Sequence, residues 1–172
     1  MGTPEGDENK KAAMLDLGGI VVPSYIRSHF PSTATILDVG AGWGKYKFLL
    51  PEYKMDACEI WQPYVDQENL KEVYREVFVS DIYDLEFNWY DIIIMGDVLE
   101  HIEEERAINL IDALRIKCNE LIVVVPYQYP QGEVDHNKYE IHHQDKLTDE
   151  MVRKLYGLHL FAKDDMKGVY TK

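Results

Sequence analysis

Four positions at every second residue stand out as able to do chemistry: Asp38-Val39-Gly40-Ala41-Gly42-Trp43-Gly44. Glycines at this spacing permit a tight turn and let backbone N–H groups approach a ligand without an intervening Cβ, and a helix opening behind them points its N-terminus at the same place. That is chemistry for a nucleotide-like ligand. The dinucleotide form of such a turn, G-x-G-x-x-G, needs a third glycine where this chain has Lys45; the third glycine here is Gly44. A second acid, Glu59, follows Asp38 by 21 residues, close to the separation of about 20 at which open α/β sheets set a carboxylate on ribose hydroxyls. Asp81 and Asp97 close two further apolar runs. His136, His142 and His143 bring groups that titrate near neutrality.

Such groups act together only if strands deliver them to one edge. The chain alternates short β-branched runs with amphipathic stretches, the pattern of a parallel sheet with helical crossovers. Strands are predicted at 35–39, 54–59, 77–80, 91–95 and 121–125, the last almost wholly apolar, as a strand buried on both faces must be. Helices are predicted at 45–50, 63–74, 103–117 and 148–156, the third with Ala107, Leu110, Ile111 and Leu114 at helical spacing and the fourth capped by Thr148. Before the first strand, Gly18-Gly19 and Pro23 restrict the expected helix to 24–29. Two short strands, 158–162 and 168–171, end the chain. Residues 126–146 form a long polar loop, and loops of that length inside a small domain are usually functional.

The D-x-G-x-G-x-G turn resembles motif I of the class I S-adenosylmethionine-dependent methyltransferases, and Asp97-Val98-Leu99-Glu100-His101 looks like their motif IV. The resemblance covers residues 34–125. It implies an α/β, Rossmann-like three-layer sandwich whose mostly parallel seven-stranded sheet has the order 3-2-1-4-5-7-6 with strand 7 antiparallel. It also implies S-adenosylmethionine as cofactor, with S-adenosylhomocysteine as product. Asp38, Gly40, Gly42 and Gly44 would then curve round its amino-acid part and Glu59 would hold the ribose. Ile60 and Trp61 would flank the adenine, Asp81 and the Ile82 amide would read its edge, and Gly96 and Asp97 would lie near the transferring methyl group. Glu100 and His101 are expected to open the next helix.

The pattern Asn137-x-x-Glu140-x-His142 is similar, over a shorter stretch, to a segment of small methyltransferases that modify sugars and glycans. Tyr127, Tyr129, Pro130 and Tyr139 could offer a sugar platform, with His142, then His143, as the base for a hydroxyl acceptor. Asp135, His136, His142 and His143 could also gather a metal, but proximity in sequence does not set ligand geometry, and no metal site is assigned. The expected reaction is methyl transfer to an oxygen, less readily a nitrogen, of a small molecule or glycan. A cofactor-binding module without catalysis is the alternative. An oxidoreductase is disfavoured by Lys45, and the N/D-P-P-Y/F signature of adenine N-methylation is missing at Gly96-Asp97-Val98-Leu99.

Over 172 residues, 18 Lys and Arg against 31 Asp and Glu give a formal net charge of −13. Neutralising nucleic-acid phosphates or docking on anionic lipid needs a basic surface, so neither partner is expected. Nine of the acids fall between Asp81 and Glu105, a stretch with no Lys or Arg. The length suits one domain over 14–172 behind a flexible lead-in of 1–13, and a homodimer is compatible with it. Cys58 and Cys118 lie in apolar segments as buried, reduced thiols, and the N-terminus shows no signal-like apolar run; both point to the cytoplasm.

Overall fold

Strands β1 (Thr35–Val39), β2 (Lys54–Glu59), β3 (Val77–Val79), β4 (Tyr90–Gly96), β5 (Cys118–Pro126), β6 (His159–Lys163) and β7 (Lys167–Thr171) form one sheet. Its order is β3-β2-β1-β4-β5-β7-β6. These come from a computed structural model describing residues 8, 10–12, 14–87 and 89–172. Neighbours are parallel from β3 to β5, and β7 runs antiparallel to both β5 and β6. The reversal is local: Asp164 accepts from the backbone N–H groups of Met166 and Lys167, both at 2.8 Å, and closes β6 and β7 into a hairpin. The architecture is the three-layer sandwich implied above.

Strands buried on both faces put successive residues into different cores. Leu37, Ile93, Met95, Leu121 and Val123 meet Ala107, Leu110, Ile111 and Leu114 of helix α5 (Glu104–Arg115) and Val152 and Tyr156 of α6 (Asp149–Tyr156). Ile36, Ile92, Ile94, Ile122 and Val124 meet Val22 and Ile26 of α1 (Leu17–His29) on the opposite face. α6 is capped as expected, with Thr148 Oγ1 accepting from Met151 N at 3.3 Å. Cys58 and Cys118 are buried free thiols.

Three helices differ from the sequence expectation. α1 begins at Leu17 and passes through Gly18, Gly19 and Pro23, because Asp16 caps it by accepting from Gly19 N at 2.7 Å. Of the two glycines that argue against a helix, Gly18 has a packing role: a Cβ there would lie 3.1 Å from Val124 Cγ1, a tight contact. The expected helix at 63–74 is two short ones, α3 (Gln62–Gln67) and α4 (Leu70–Val73), separated by Asn69 in a left-handed conformation at φ 51°. Leu99–His101 form a 3-10 turn of their own, broken from α5 by extended Ile102. The lead-in of 1–13 lies mostly outside the described residues. Within it, Lys10 to Ala12 are helical, and Lys10 pairs with Glu68.

β1 pairs with β2 on one side and β4 on the other, so the crossovers diverge there. In open α/β sheets, ligands bind beyond the carboxyl ends of the strands at that switch point.

Candidate active site

A cavity of about 1060 Å³ opens at this switch point. Its floor is the turn between β1 and helix α2 (Lys45–Leu49), where Gly40, Gly42 and Gly44 have φ of 68°, 53° and 84°. Side chains rarely adopt these left-handed values, which accounts for the alternate glycines. The three positions differ in surroundings. A Cβ on Gly40 would lie 2.4 Å from Val98 and one on Gly44 3.3 Å from Leu70, whereas one on Gly42 would meet nothing nearer than Gly40 O at 4.0 Å. Gly42 therefore keeps the backbone open to the cavity.

Glu59 ends β2 at the cavity wall. Its Oε2 accepts from Gly42 N and its Oε1 from Trp61 N, each at 2.8 Å, and burial pushes its pKa up. Each carboxylate oxygen has two lone pairs, so Glu59 is held rigidly by the turn and can still accept from a diol. Asp81 and Ile82 line the wall beyond β3, with Asp81 Oδ1 accepting from Tyr83 N at 3.1 Å. Gly96 and Asp97 line it beyond β4. Gly96 is demanded by packing, since a Cβ there would lie 2.3 Å from the Tyr46 ring. Asp97, at φ 57°, accepts from Lys167 Nζ at 3.0 Å, and Lys167 and Lys45 both bond Asp16 of the α1 cap. The cations of this wall are thus already matched by carboxylates.

The 126–146 loop supplies the far wall through Tyr129, Gln131, Asn137, Tyr139, Glu140 and His143. Glu140 is its anchor: it accepts from Tyr64 OH at 2.9 Å and from Gln131 Nε2 at 3.2 Å. Buried Asn137 caps the loop's short 3-10 turn by accepting from Tyr139 N at 3.0 Å. Of the four loop anchors expected to form a platform, Tyr127 instead turns inward and bonds Tyr170.

Of the expected site residues, Gly40, Gly42, Glu59, Ile60, Asp81, Ile82, Gly96, Asp97 and His143 line the cavity. Asp38, Gly44, Trp61 and His142 do not. Asp38 lies beneath the turn, accepts from Tyr74 OH at 2.6 Å, and has its pKa raised to about 7 by burial. Trp61 precedes α3 at its N-cap position with no capping side-chain bond, and its ring meets Tyr139 edge-on at 6.0 Å. His142 packs behind His101, ring centroids 4.6 Å apart. His101, expected in the next helix, is itself on the wall. Tyr64 and Gln131 also line it, and neither carries a sequence signal, because each is chosen only by contact with Glu140.

No protein-family model matches the chain, and no curated protein matches it. Solved structures do. An S-adenosylmethionine-dependent methyltransferase from Clostridium acetobutylicum ATCC 824 superposes with a TM-score of 0.69 at 13% identity, covering 94% of this chain and 93% of that one. The chain has the fold of these methyltransferases. Magnesium protoporphyrin IX methyltransferase ChlM from Synechocystis PCC 6803, solved with bound SAM, gives 0.64 at 16% identity over 87% of this chain and 74% of that one. The plantazolicin methyltransferase BpumL in complex with SAH gives 0.64 at 12% identity over 98% and 90%. Among the described residues, no helix is long and apolar enough to cross a membrane.

Proposed function

We propose that this protein binds S-adenosylmethionine in the cavity and transfers its methyl group to a hydroxyl oxygen of a small molecule or sugar. The observation that carries the reading is Glu59, a buried strand-end carboxylate locked by Gly42 N and Trp61 N beside a turn whose glycine leaves the backbone open. The cavity's size, the apolar side chains of Ile60 and Ile82 that line it, and the carboxylates of Glu59 and Glu103 on its wall suit a nucleoside carrying a sulfonium and an ammonium group. Neighbours of the same fold, ChlM and BpumL, were solved with SAM and SAH.

When bound, the cofactor supplies a methyl group on positive sulfur, and its carbon–sulfur bond breaks as the oxygen–carbon bond forms, leaving a neutral thioether. The chain's own work is alignment and proton removal. Glu59 and Asp81 fix the nucleoside end, and Asp97 holds the opposite wall. His143 is the loop histidine on the wall, with Nδ1 3.5 Å from Glu103 Oε1, an orientation that leaves Nε2 to take the hydroxyl proton. His142, the other expected base, stands off the wall. The exposed rings of Tyr129 and Tyr139 on the wall favour a flat or ring-shaped acceptor such as a sugar.

The test is calorimetric titration with S-adenosylhomocysteine, followed by incubation with labelled S-adenosylmethionine and a panel of sugars and phenols. Saturable binding plus transfer supports the reading. Binding without transfer to any acceptor favours a catalytically inactive partner module, and absence of binding overturns both. His143→Ala should keep cofactor affinity and lose most turnover.

A further inference from the structure

We propose that Glu100, His101 and His142 form a binding site for one divalent transition-metal cation at the cavity wall. Each side chain can bring one ligating atom within 4.8 Å of those of the other two. Ligands around an ion at roughly 2.0–2.2 Å lie about 3–4 Å from one another, so small side-chain rotations close the cluster. His101 is on the Leu99–His101 turn and His142 is in the long loop; tertiary bonds bring them together. His143 N and Gln144 N donate to Glu100 O at 2.9 and 3.1 Å, while Gln144 Nε2 donates to Leu99 O at 2.9 Å and Ile102 O at 2.8 Å.

Three observations point to a cation rather than to packing alone. Glu100 is only 2% exposed, yet its Oε2 has no hydrogen-bond partner among the described residues. An ionised carboxylate so buried is costly unless paired. Next, both imidazoles are oriented through Nδ1 by backbone carbonyls: His142 on Tyr129 O at 2.6 Å and His101 on Ile141 O at 3.3 Å. A ring that donates Nδ1–H keeps a lone pair on Nε2, the second-sphere arrangement that metal-ligating histidines show. Finally, the cluster offers acceptors only, and the nearby charges of Asp97 and Glu140 add to its negative field, with Lys167 opposing.

Two imidazoles and one carboxylate suit Zn²⁺, Mn²⁺, Fe²⁺ or Co²⁺ better than the oxygen-preferring Mg²⁺ or Ca²⁺. Three protein ligands leave coordination positions open, and His101 faces the cavity. The role of the ion rests on the methyl-transfer reading: bound to an acceptor hydroxyl, it would lower that hydroxyl's pKa as it lowers that of water, with the proton passing to His143. The ion changes no oxidation state.

Cobalt(II) titration of the full chain, followed by visible absorption, tests the site without relying on activity. One equivalent should bind with ligand-field bands of a nitrogen and oxygen site. His142→Ala and Glu100→Gln should each weaken binding by more than the roughly 10- to 100-fold that loss of an outer-sphere partner costs. His136→Ala should change nothing, its side chain being fully exposed and outside the cluster. Far-ultraviolet circular dichroism and S-adenosylhomocysteine titration show whether each variant is folded. No Co²⁺, Zn²⁺ or Mn²⁺ binding by folded wild type overturns the proposal, leaving a proton as the partner of Glu100. Binding that survives both ligand substitutions overturns it too. Metal binding without S-adenosylhomocysteine binding would instead defeat the methyl-transfer reading alone.

Discussion

Replacing Glu59 perturbs the nucleoside end of the cavity most directly. Its two oxygens each already accept one backbone N–H at 2.8 Å, from Gly42 and Trp61, and each retains one lone pair for a ribose hydroxyl. Glu59→Ala removes those acceptors and leaves the two backbone donors to water or to nothing. Hydrogen bonds to charged groups contribute about 1.5–3 kcal/mol each. The Kd for S-adenosylhomocysteine should therefore rise by roughly 10- to 150-fold for each ribose bond lost, and by roughly 10²- to 10⁴-fold where both are lost. Glu59→Gln is the sharper variant. Its amide can accept through one atom only, so one of the Gly42 and Trp61 N–H groups must face the amide NH₂, donor against donor. Gln should thus restore little of the lost affinity despite its near-identical shape. Calorimetry at pH 7.5, with thermal unfolding alongside to confirm a folded chain, measures both. Wild-type affinity in either folded variant would refute the placement of the ribose at β2.

Gly42→Ala should fold at a cost of about 1–2 kcal/mol for its left-handed backbone, since its Cβ meets no side chain, yet should bind S-adenosylhomocysteine far more weakly. Unchanged affinity by calorimetry would remove the turn from the site. Asp38 has a folded pKa of about 7 against 3.8 ordinarily. The folded state therefore holds its proton between those values while the unfolded state loses it, so this group's contribution to stability declines as pH rises from about 4 and is fully lost above 7. Asp38→Asn, which still accepts from Tyr74, should be the more stable protein at pH 8 by as much as about 4 kcal/mol and show a smaller fall between pH 5 and 8 in urea unfolding. Gln144→Ala removes the clamp on Leu99 O and Ile102 O. It should destabilise by about 1–3 kcal/mol and expose the 126–146 loop to limited proteolysis.

Residues whose role depends on position at a strand end were legible in the chain. A parallel strand carries its last residue to the sheet's carboxyl edge whatever the loops do, so Glu59, Asp81 and Asp97 could be placed from the apolar runs before them. Helix α1 was less legible. Gly18 and Gly19 read as breakers by propensity, but Gly18 allows the close approach of α1 to Val124, a neighbour more than a hundred residues away. Asn69 likewise gave no clear sign that it would adopt φ 51° and divide the expected helix.

By itself, then, the sequence determined the strands and the glycine turn, because those depend on local periodicity and on backbone conformations that only glycine adopts readily, while the strand order followed only from the resemblance of its motifs to a family. It also supplied Asp97 to His101 as one motif and His142 and His143 as lone loop residues. Tertiary structure decided what these do. Gln144 and the backbone of His143 bond the Leu99–Ile102 turn, setting His142 behind His101 and His143 at the wall. Asp38 went beneath the turn, into low dielectric beside Tyr74. Long-range hydrogen bonds choose such partners by geometry, and no spacing within the chain encodes it.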